Sequence, residues 1–365
     1  MKYLPDNSIG LYIHIPFCKK KCLYCDFYSA VLSDSVYSAY LDALLREIKN
    51  WGGKLDRPVS SVYIGGGTPS VLGRDIKRLV DEIKSSFCVL SDAEITAECN
   101  PNTEYEFLYY AKLCGVNRIS VGVQAGSNVR LRALGRSHTV SDAEKTVSLC
   151  RDIGLDNVSC DIMISLPDSS NKTLSEDIDF ICSLSPEHIS AYILKIEERT
   201  AFYKYRDELN LPDDDSTANQ YLTLCSELKK RGYEHYEISN FARENKKSRH
   251  NLKYWRCEEY LGIGPSAHSF LNGKRFYYPR DIKAFIKGNT FEYDGEGGTN
   301  SERIMLSLRT NDGVEINNFN RSVISKIEEF KKAGFLDVKD NKVCLTDKGM
   351  LLSNSIITEL IYEDL

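Results

Sequence analysis

Three cysteines crowd into eight residues of the segment Ile13-His14-Ile15-Pro16-Phe17-Cys18-Lys-Lys-Lys-Cys22-Leu-Tyr-Cys25. Their spacing is C-x3-C-x2-C. Zinc normally takes four ligands from two well-separated pairs, and no fourth thiol lies near this loop. His14 sits on the preceding strand, and position 27 is Phe27. An iron–sulfur cubane closed by four thiolates has no open iron, whereas three thiolates leave one iron exposed to a chelating small molecule. The loop therefore reads as a three-thiolate [4Fe–4S] site, with a zinc site or three unrelated thiols as the alternatives. The other nine cysteines (Cys88, Cys99, Cys114, Cys150, Cys160, Cys182, Cys225, Cys257 and Cys344) are scattered singly. In a reducing compartment such thiols behave as small buried hydrophobes.

Polar side chains further along are of the types that hold a zwitterionic ligand. Gly65-Gly66-Gly67-Thr68-Pro69 brings backbone close to a ligand and offers carbonyls to an ammonium group. Glu98 ends one predicted strand in Glu98-Cys99-Asn100-Pro101, and Gln124 ends the next. Arg136 lies in Leu134-Gly135-Arg136-Ser137-His138, and Asp161 in Asp161-Ile-Met-Ile. Arginine suits a carboxylate by bidentate pairing; Asp, Gln and Glu suit hydroxyls and ammonium. One such residue at a strand end is an ordinary loop contact, but four around one rim argue for a ligand. Lys19, Lys20 and Lys21 can stabilise a reduced, more anionic cluster or meet an acidic electron donor; a solvated loop explains them equally well.

Leu11–Ile15 reads as a buried strand, and Tyr37, Tyr40, Leu41, Leu44, Leu45 and Ile48 follow helical spacing up to Gly52. Further strands are predicted at Val62–Ile64, Glu94–Glu98, Arg118–Val123, Val158–Ile164 and His188–Leu194. Helices are predicted near Asp75–Ser85, Glu104–Cys114 and Ser141–Asp152. Strands separated by amphipathic helices argue for βαβ units and a parallel sheet, whose ligand site gathers at the strands' carboxyl ends. Six such units fill about the first 200 residues. The expected architecture is α/β, a partial (β/α)6 barrel over 1–200. An accessory region follows over 201–295, then a winged-helix-like terminal domain over 296–365 with a turn at Asp340-Asn341.

Composition narrows the function. The 365 residues are 42% hydrophobic and 27% charged with net charge −5, an ordinary globular balance without a broad cationic field for nucleic acid. Residues 321–361 hold seven Lys/Arg against six Asp/Glu, too balanced for a DNA-reading surface. MKYLPDNSIG lacks a signal-peptide apolar run, and no stretch approaches the roughly 20 apolar residues of a spanning helix. A cytoplasmic protein is expected, with peripheral contact at the inner face of a membrane left open.

The cysteine loop and the segments after it resemble the radical SAM superfamily. There the amino and carboxylate groups of S-adenosylmethionine (SAM) chelate the open iron, and one electron from the cluster yields a 5′-deoxyadenosyl radical. Leu11-Tyr12-Ile-His-Ile-Pro-Phe-Cys18, Tyr24-Cys25-Asp26-Phe27, the glycine segment, Glu98-Cys-Asn-Pro, Val121-Gly-Val-Gln124, Gly135-Arg136 and Asp161 look like the coproporphyrinogen dehydrogenase (HemN) group. The resemblance covers nearly the whole chain. It implies cluster ligation by Cys18, Cys22 and Cys25, and SAM contacts from Tyr12, Tyr24, Gly66, Gly67, Thr68, Glu98, Gln124, Arg136 and Asp161.

Two departures separate the chain from the decarboxylating enzymes of that group and point to the HemW branch of heme chaperones. Those enzymes carry a further cysteine two residues after the third ligand, where Phe27 stands here. They also carry a long segment before the cluster, where 17 residues stand here. The branch's His-Asn-x-x-Tyr-Trp segment is His250-Asn251-Leu-Lys-Tyr254-Trp255, which makes these four the heme-binding candidates. Imidazole can ligate heme iron and an aromatic ring can cover a porphyrin face; packing at the seam between barrel and terminal domain would leave the same residues. Ser165, Arg199 and Ser266 depart from the branch's usual pattern, the first two from glycine. The resemblance implies a chaperone that carries heme as cargo to acceptors such as respiratory enzymes. It also implies a flavodoxin- or ferredoxin-type electron donor and a homodimer. The rival activities are oxidative decarboxylation of coproporphyrinogen III and heme-ring-opening methyl transfer.

Overall fold

The computed structural model describes residues 7–361; Met1–Asp6, part of the segment read as lacking a signal-peptide run, lie outside the described residues. Six strands run in chain order: β1 (Ile9–Ile15), β2 (Val59–Gly66), β3 (Val89–Cys99), β4 (Arg118–Gln124), β5 (Val158–Ile164) and β6 (His188–Ile193). Each neighbouring pair is parallel. The helices between them are α1 (Asp34–Gly52), α2 (Asp75–Ser86), α3 (Tyr105–Cys114), α4 (Asn128–Ala133), α5 (Val140–Asp152) and α6 (Asn171–Ser183). This is the partial (β/α)6 barrel expected from the alternation of periods.

Residues 201–295 add to both ends of the same sheet. After α7 (Asp214–Lys230), β7 (Glu234–Glu237) and β8 (Asn240–Ala242) extend it beyond β6. After α8 (Arg249–Trp255), β9 (Tyr260–Ile263) pairs in parallel with β1, followed outward by β10 (His268–Leu271), β11 (Lys274–Tyr277) and β12 (Glu292–Glu296). The order among the described residues is β12-β11-β10-β9-β1-β2-β3-β4-β5-β6-β8-β7. The chain ends with α9 (Asn300–Ser307), β13 (Val314–Glu315), α10 (Ile324–Lys332), β14 (Leu336–Lys339), β15 (Lys342–Leu345), α11 (Asp347–Leu351) and α12 (Ser353–Ile361). Asp340 and Asn341 both take positive φ between β14 and β15, as a tight two-residue hairpin requires. No helix among the described residues is long and apolar enough to cross a membrane.

The pleat sorts the strands' side chains. Successive residues point to opposite faces, so Ile9, Leu11, Ile13 and Ile15 join Tyr40, Leu44 and Ile48 of α1 in the outer core. Gly10, Tyr12 and His14 face inward. The same alternation places Ser61 and Tyr63, Glu94 and Glu98, Arg118 and Ser120, Ser159 and Asp161, and His188 and Ser190 on the inner face. Buried polar groups need partners, and here they largely serve one another. Ser159 Oγ is 2.7 Å from His188 Nδ1, and His188 Nε2 is 2.8 Å from the Tyr236 hydroxyl. That hydroxyl also accepts from the Ser248 N–H at 3.2 Å. The segment 246–255 thus closes the barrel at the end where the strands begin.

Glu237 ends β7 fully buried and accepts from the Ser239 N–H and the Asn240 amide. Burial pushes its carboxyl up to about 8. The folded chain therefore keeps this proton while the unfolded chain releases it near 4.5, so stability is lost as pH rises from about 4.5 to about 8. Glu237→Gln is expected to match the parent's melting temperature at pH 5 and to exceed it at pH 8. Equal pH dependence in the two proteins, read by thermal melts across that range, would contradict this account.

Candidate cluster and cofactor site

The cysteine loop leaves β1 through Pro16 and is closed on itself by a short parallel pair, Phe17–Cys18 with Ala30–Val31. It lies against the start of the glycine segment. The Gly67 N–H donates to the Ile15 carbonyl (2.8 Å) and the Thr68 N–H to the Phe17 carbonyl (2.7 Å). A Cβ on Gly67 would stand 2.6 Å from the Phe17 carbonyl oxygen, and one on Gly66, at φ +114°, would stand 2.6 Å from the His14 ring. These glycines are required by the loop's own backbone and by His14 before any ligand is considered. His14 is fixed in turn: Nε2 donates to the Tyr28 carbonyl (2.9 Å), so Nδ1 accepts from the Tyr12 hydroxyl (3.0 Å). Burial holds this imidazole neutral, at about 4.

All three cysteines are free. Cys18 Sγ accepts from Thr68 Oγ1 and Cys22 Sγ from an Arg136 guanidinium nitrogen, both at 3.4 Å. Burial pushes the Cys25 thiol up to about 11, and the charges of Cys22 and Cys18 add to the shift. Three sulfurs close enough to repel one another, two with donors already aimed at them, fit a cluster that carries thiolate charge. Among the rim residues, Asn100 was quoted in the sequence without a role, yet it joins the parts. Its amide donates to Thr68 Oγ1 (3.3 Å) and its carbonyl accepts from Arg136 (2.7 Å). Arg136 also donates to the Gly122 carbonyl (2.7 Å) and to His138 Nδ1 (3.3 Å). The guanidinium is thus held by backbone and side chains at once. Tyr24, on the cluster loop, lies within the field of Arg136, Cys22, Cys25 and Asp161.

Glu98 and Asp161 face the same interior. Glu98 accepts from the Tyr63 hydroxyl (2.8 Å) and the Gly66 N–H (3.2 Å); Asp161 accepts from Ser120 (3.3 Å). Burial pushes Glu98 up to about 7, with Asp161 adding to it, and Asp161 up to about 6. Two buried carboxyls of raised pKa mark a place where a cationic ligand is favoured. The donor set therefore fits SAM, whose ammonium and sulfonium are cationic; four of the five Arg136 N–H groups already have protein acceptors, so Arg136 meets the carboxylate by its charge and not by bidentate pairing. Gln124 takes φ +74°. The turn just after it is pinned by Asp177 of α6, which accepts from the Gly126 N–H and from Arg130. Asp177 carried no motif and was not legible from the sequence.

The His-Asn-x-x-Tyr-Trp segment lies at the opposite end of the barrel. His250 is completely buried. Ser61 Oγ is 2.9 Å from its Nδ1 and the Tyr254 hydroxyl 2.8 Å from its Nε2. Its N–H donates to Glu94 (3.1 Å), and Gly10 leaves room for the ring. Burial lowers this imidazole to about 3. Both nitrogens are therefore engaged, and the expected axial-ligand role has no free nitrogen in this arrangement. Asn251 and Trp255 are partly exposed. The segment still communicates with the rim through packed rings: Tyr63 stacks on His250 (5.4 Å) and on Tyr12 (6.2 Å), and its hydroxyl holds Glu98.

The family described as radical SAM superfamily matches residues 12–181, and the HemN C-terminal domain matches 301–352. A heme chaperone HemW of Bacillus subtilis is 34% identical over 96% of this chain and 99% of its own. The chain belongs to the HemW branch of the radical SAM superfamily. The Escherichia coli heme chaperone HemW is 38% identical over 78% of this chain and 77% of its own. The solved structure of E. coli coproporphyrinogen III oxidase, HemN, shares the fold with a TM-score of 0.82 at 24% identity, covering 98% of this chain and 91% of that one.

The HemW-branch departures now divide by backbone. Ser165 has φ +57° and Ser266 φ +72°, where glycine costs least. The Ser165 hydroxyl is also buried without a partner, although its N–H donates to Gln220 (3.1 Å). Arg199 is exposed and is not in the left-handed region, and nothing in the structure explains it. Ser165→Gly is expected to stabilise the chain by about 1 kcal/mol, removing both the left-handed penalty and the unsatisfied hydroxyl. Urea unfolding at pH 7 checks this, and a destabilised variant would refute it.

Proposed function

We propose that this chain is a heme chaperone that carries a [4Fe–4S] cluster on Cys18, Cys22 and Cys25, binds SAM beside it and passes heme to acceptor proteins. The observation that carries the reading is the near full-length match to heme chaperones, together with a cluster loop that has Phe27, 70% exposed, where the decarboxylating enzymes have cysteine. Bound together, cluster and SAM supply one-electron chemistry at the sulfonium. The chain's own residues hold and shield. Arg136 pairs with the SAM carboxylate while donating to Cys22; Glu98 and the Gly66–Gly67 backbone receive the ammonium. Asp161 and Gln124 take the ribose hydroxyls, and Tyr12, Tyr24 and Thr68 line the space between cluster and cofactor.

Acceptors such as respiratory enzymes belong to the same reading. So do a cytoplasmic location and a homodimer whose assembly uses the cluster. A flavodoxin- or ferredoxin-type donor would meet Lys20 and Lys21, since Lys19 is paired with Glu104 at 3.1 Å. Within the His250–Trp255 segment, the partial exposure of Asn251, Tyr254 and Trp255 supports these three as the residues that meet a porphyrin. His250 and Tyr254 hold α8 from within.

Two experiments test this. Chain reconstituted anaerobically is expected to retain stoichiometric heme through desalting and to transfer it to an apo acceptor. Trp255→Ala should lose heme with its melting temperature nearly unchanged, whereas His250→Ala should lower the melting temperature first. Protoporphyrinogen formed at turnover from coproporphyrinogen III, SAM and a reductant would overturn the chaperone reading, and so would failure to retain heme. Separately, Arg136→Met should weaken SAM binding by about tenfold or more, the scale of a lost charge-assisted pair. It should also lower the cluster's midpoint potential, because a positive donor to Cys22 is gone. Unchanged calorimetric affinity and unchanged potential would refute the placement.

A further inference from the structure

Away from the barrel interior, three side chains of ligand chemistry converge where the C-terminal helices rest on α7. Cys225 of α7 is buried, His235 comes from β7, and Asp347 opens α11. One donor atom from each lies within 4.8 Å of the other two. His235 Nδ1 stands 2.8 Å from Asp347 Oδ1. The imidazole is fixed on its other sides: its ring stacks on Phe241 with centroids 4.4 Å apart, and the Tyr221 hydroxyl stands 3.4 Å from Nε2 while donating to the Ile238 carbonyl at 2.9 Å. Ligand orientation by such outer partners is a property of built metal sites.

A histidine–aspartate hydrogen bond accounts for two of these groups, and the Cys225 thiol, packed in the core beside Tyr221, is turned to the same point. Bonds of about 2.0–2.3 Å to one tetrahedral ion set its ligands about 3.3–3.7 Å apart, inside the 4.8 Å span of the three donors, and the 2.8 Å His235–Asp347 hydrogen bond opens by about 0.5 Å to admit the ion. The Asp347 side chain is 46% exposed, which leaves one side open to solvent for the ion and for water as a fourth ligand.

We propose that Cys225, His235 and Asp347 bind a single Zn2+ ion that clamps the C-terminal helices to α7. One sulfur, one nitrogen and one oxygen suit Zn2+ and disfavour Mg2+ and Ca2+, which seek oxygen alone. Binding replaces the Cys225 thiol proton, while the His235 proton that faces Asp347 moves from Nδ1 to Nε2, where the Tyr221 hydroxyl accepts it, so one proton is released to solvent for each ion taken up. The site shares no residue with the cysteine loop and stands independently of the heme reading.

The test uses the full chain with its cluster reconstituted, so that Cys18, Cys22 and Cys25 are occupied. Zn2+ is titrated against a chromophoric chelator, and iron and zinc are counted after gel filtration. The expected result is one Zn2+ per chain, released by excess chelator and accompanied by a higher melting temperature. Cys225→Ser and Asp347→Asn should each weaken Zn2+ by more than about tenfold, since losing a ligand costs at least what losing an outer partner does. Their iron content should stay at the parent's value and their metal-free melting temperatures close to it. A parent that takes up no zinc in competition with the chelator overturns the proposal. Zinc retained at full affinity in Cys225→Ser does so as well.

Discussion

The cysteine loop can lie where it does only because Gly67 has no side chain. Two backbone hydrogen bonds tie the glycine segment to the carbonyls of Ile15 and Phe17, at a distance no Cβ on Gly67 would tolerate. That contact places Thr68 against Cys18, Asn100 against Thr68, and Arg136 against both Asn100 and Cys22. Sulfur ligands from one loop, polar groups from two strand ends and an arginine from the loop after α4 thereby become a single connected rim. A larger residue at 67 would separate the loop from β2 and undo all of these contacts together, and one at 66 would displace the His14 ring.

The inner face of the barrel follows a different rule from an ordinary core. The outer faces of the strands bury aliphatic side chains against helices, while the inner face buries hydroxyls, imidazoles and carboxyls. Such groups are costly to bury unless paired. Ser61 with His250, Ser159 with His188, and Tyr63 with Glu98 are the pairings that make it tolerable. The carboxyls of Glu98 and Asp161 stand with raised pKa values, so part of that cost remains where a cationic ligand would relieve it.

Much of this was legible in the sequence, and the reasons are local. C-x3-C-x2-C, the triple glycine and the charged residues at strand ends carry their chemistry in their spacing. The strand and helix periods give the barrel. What could not be read depends on pairings distant in sequence. Asp177 reaches the turn after Gln124 from α6, and Asn100 gains its role only once Arg136 lies beside it. The setting of His250 turns on Ser61, 189 residues away, so a motif that reads as heme contact or as packing shows its partners only once the chain is folded. The left-handed backbone at Ser165 and Ser266 likewise appears only in three dimensions, although the glycine that the family resemblance leads one to expect at 165 was its signal.

β1 is the first strand of the chain and yet an interior one, flanked by β2 on one side and by β9 on the other. On a ribosome, 245 positions (260 − 15) separate the end of β1 from the start of the strand that will cover its second edge. Until Tyr260–Ile263 have emerged, a row of unpaired amides and carbonyls stays open to other chains. A fragment ending after β6 would keep that edge uncovered permanently. The barrel is therefore completed late in synthesis, by a piece of chain that also brings α8 and the floor with it.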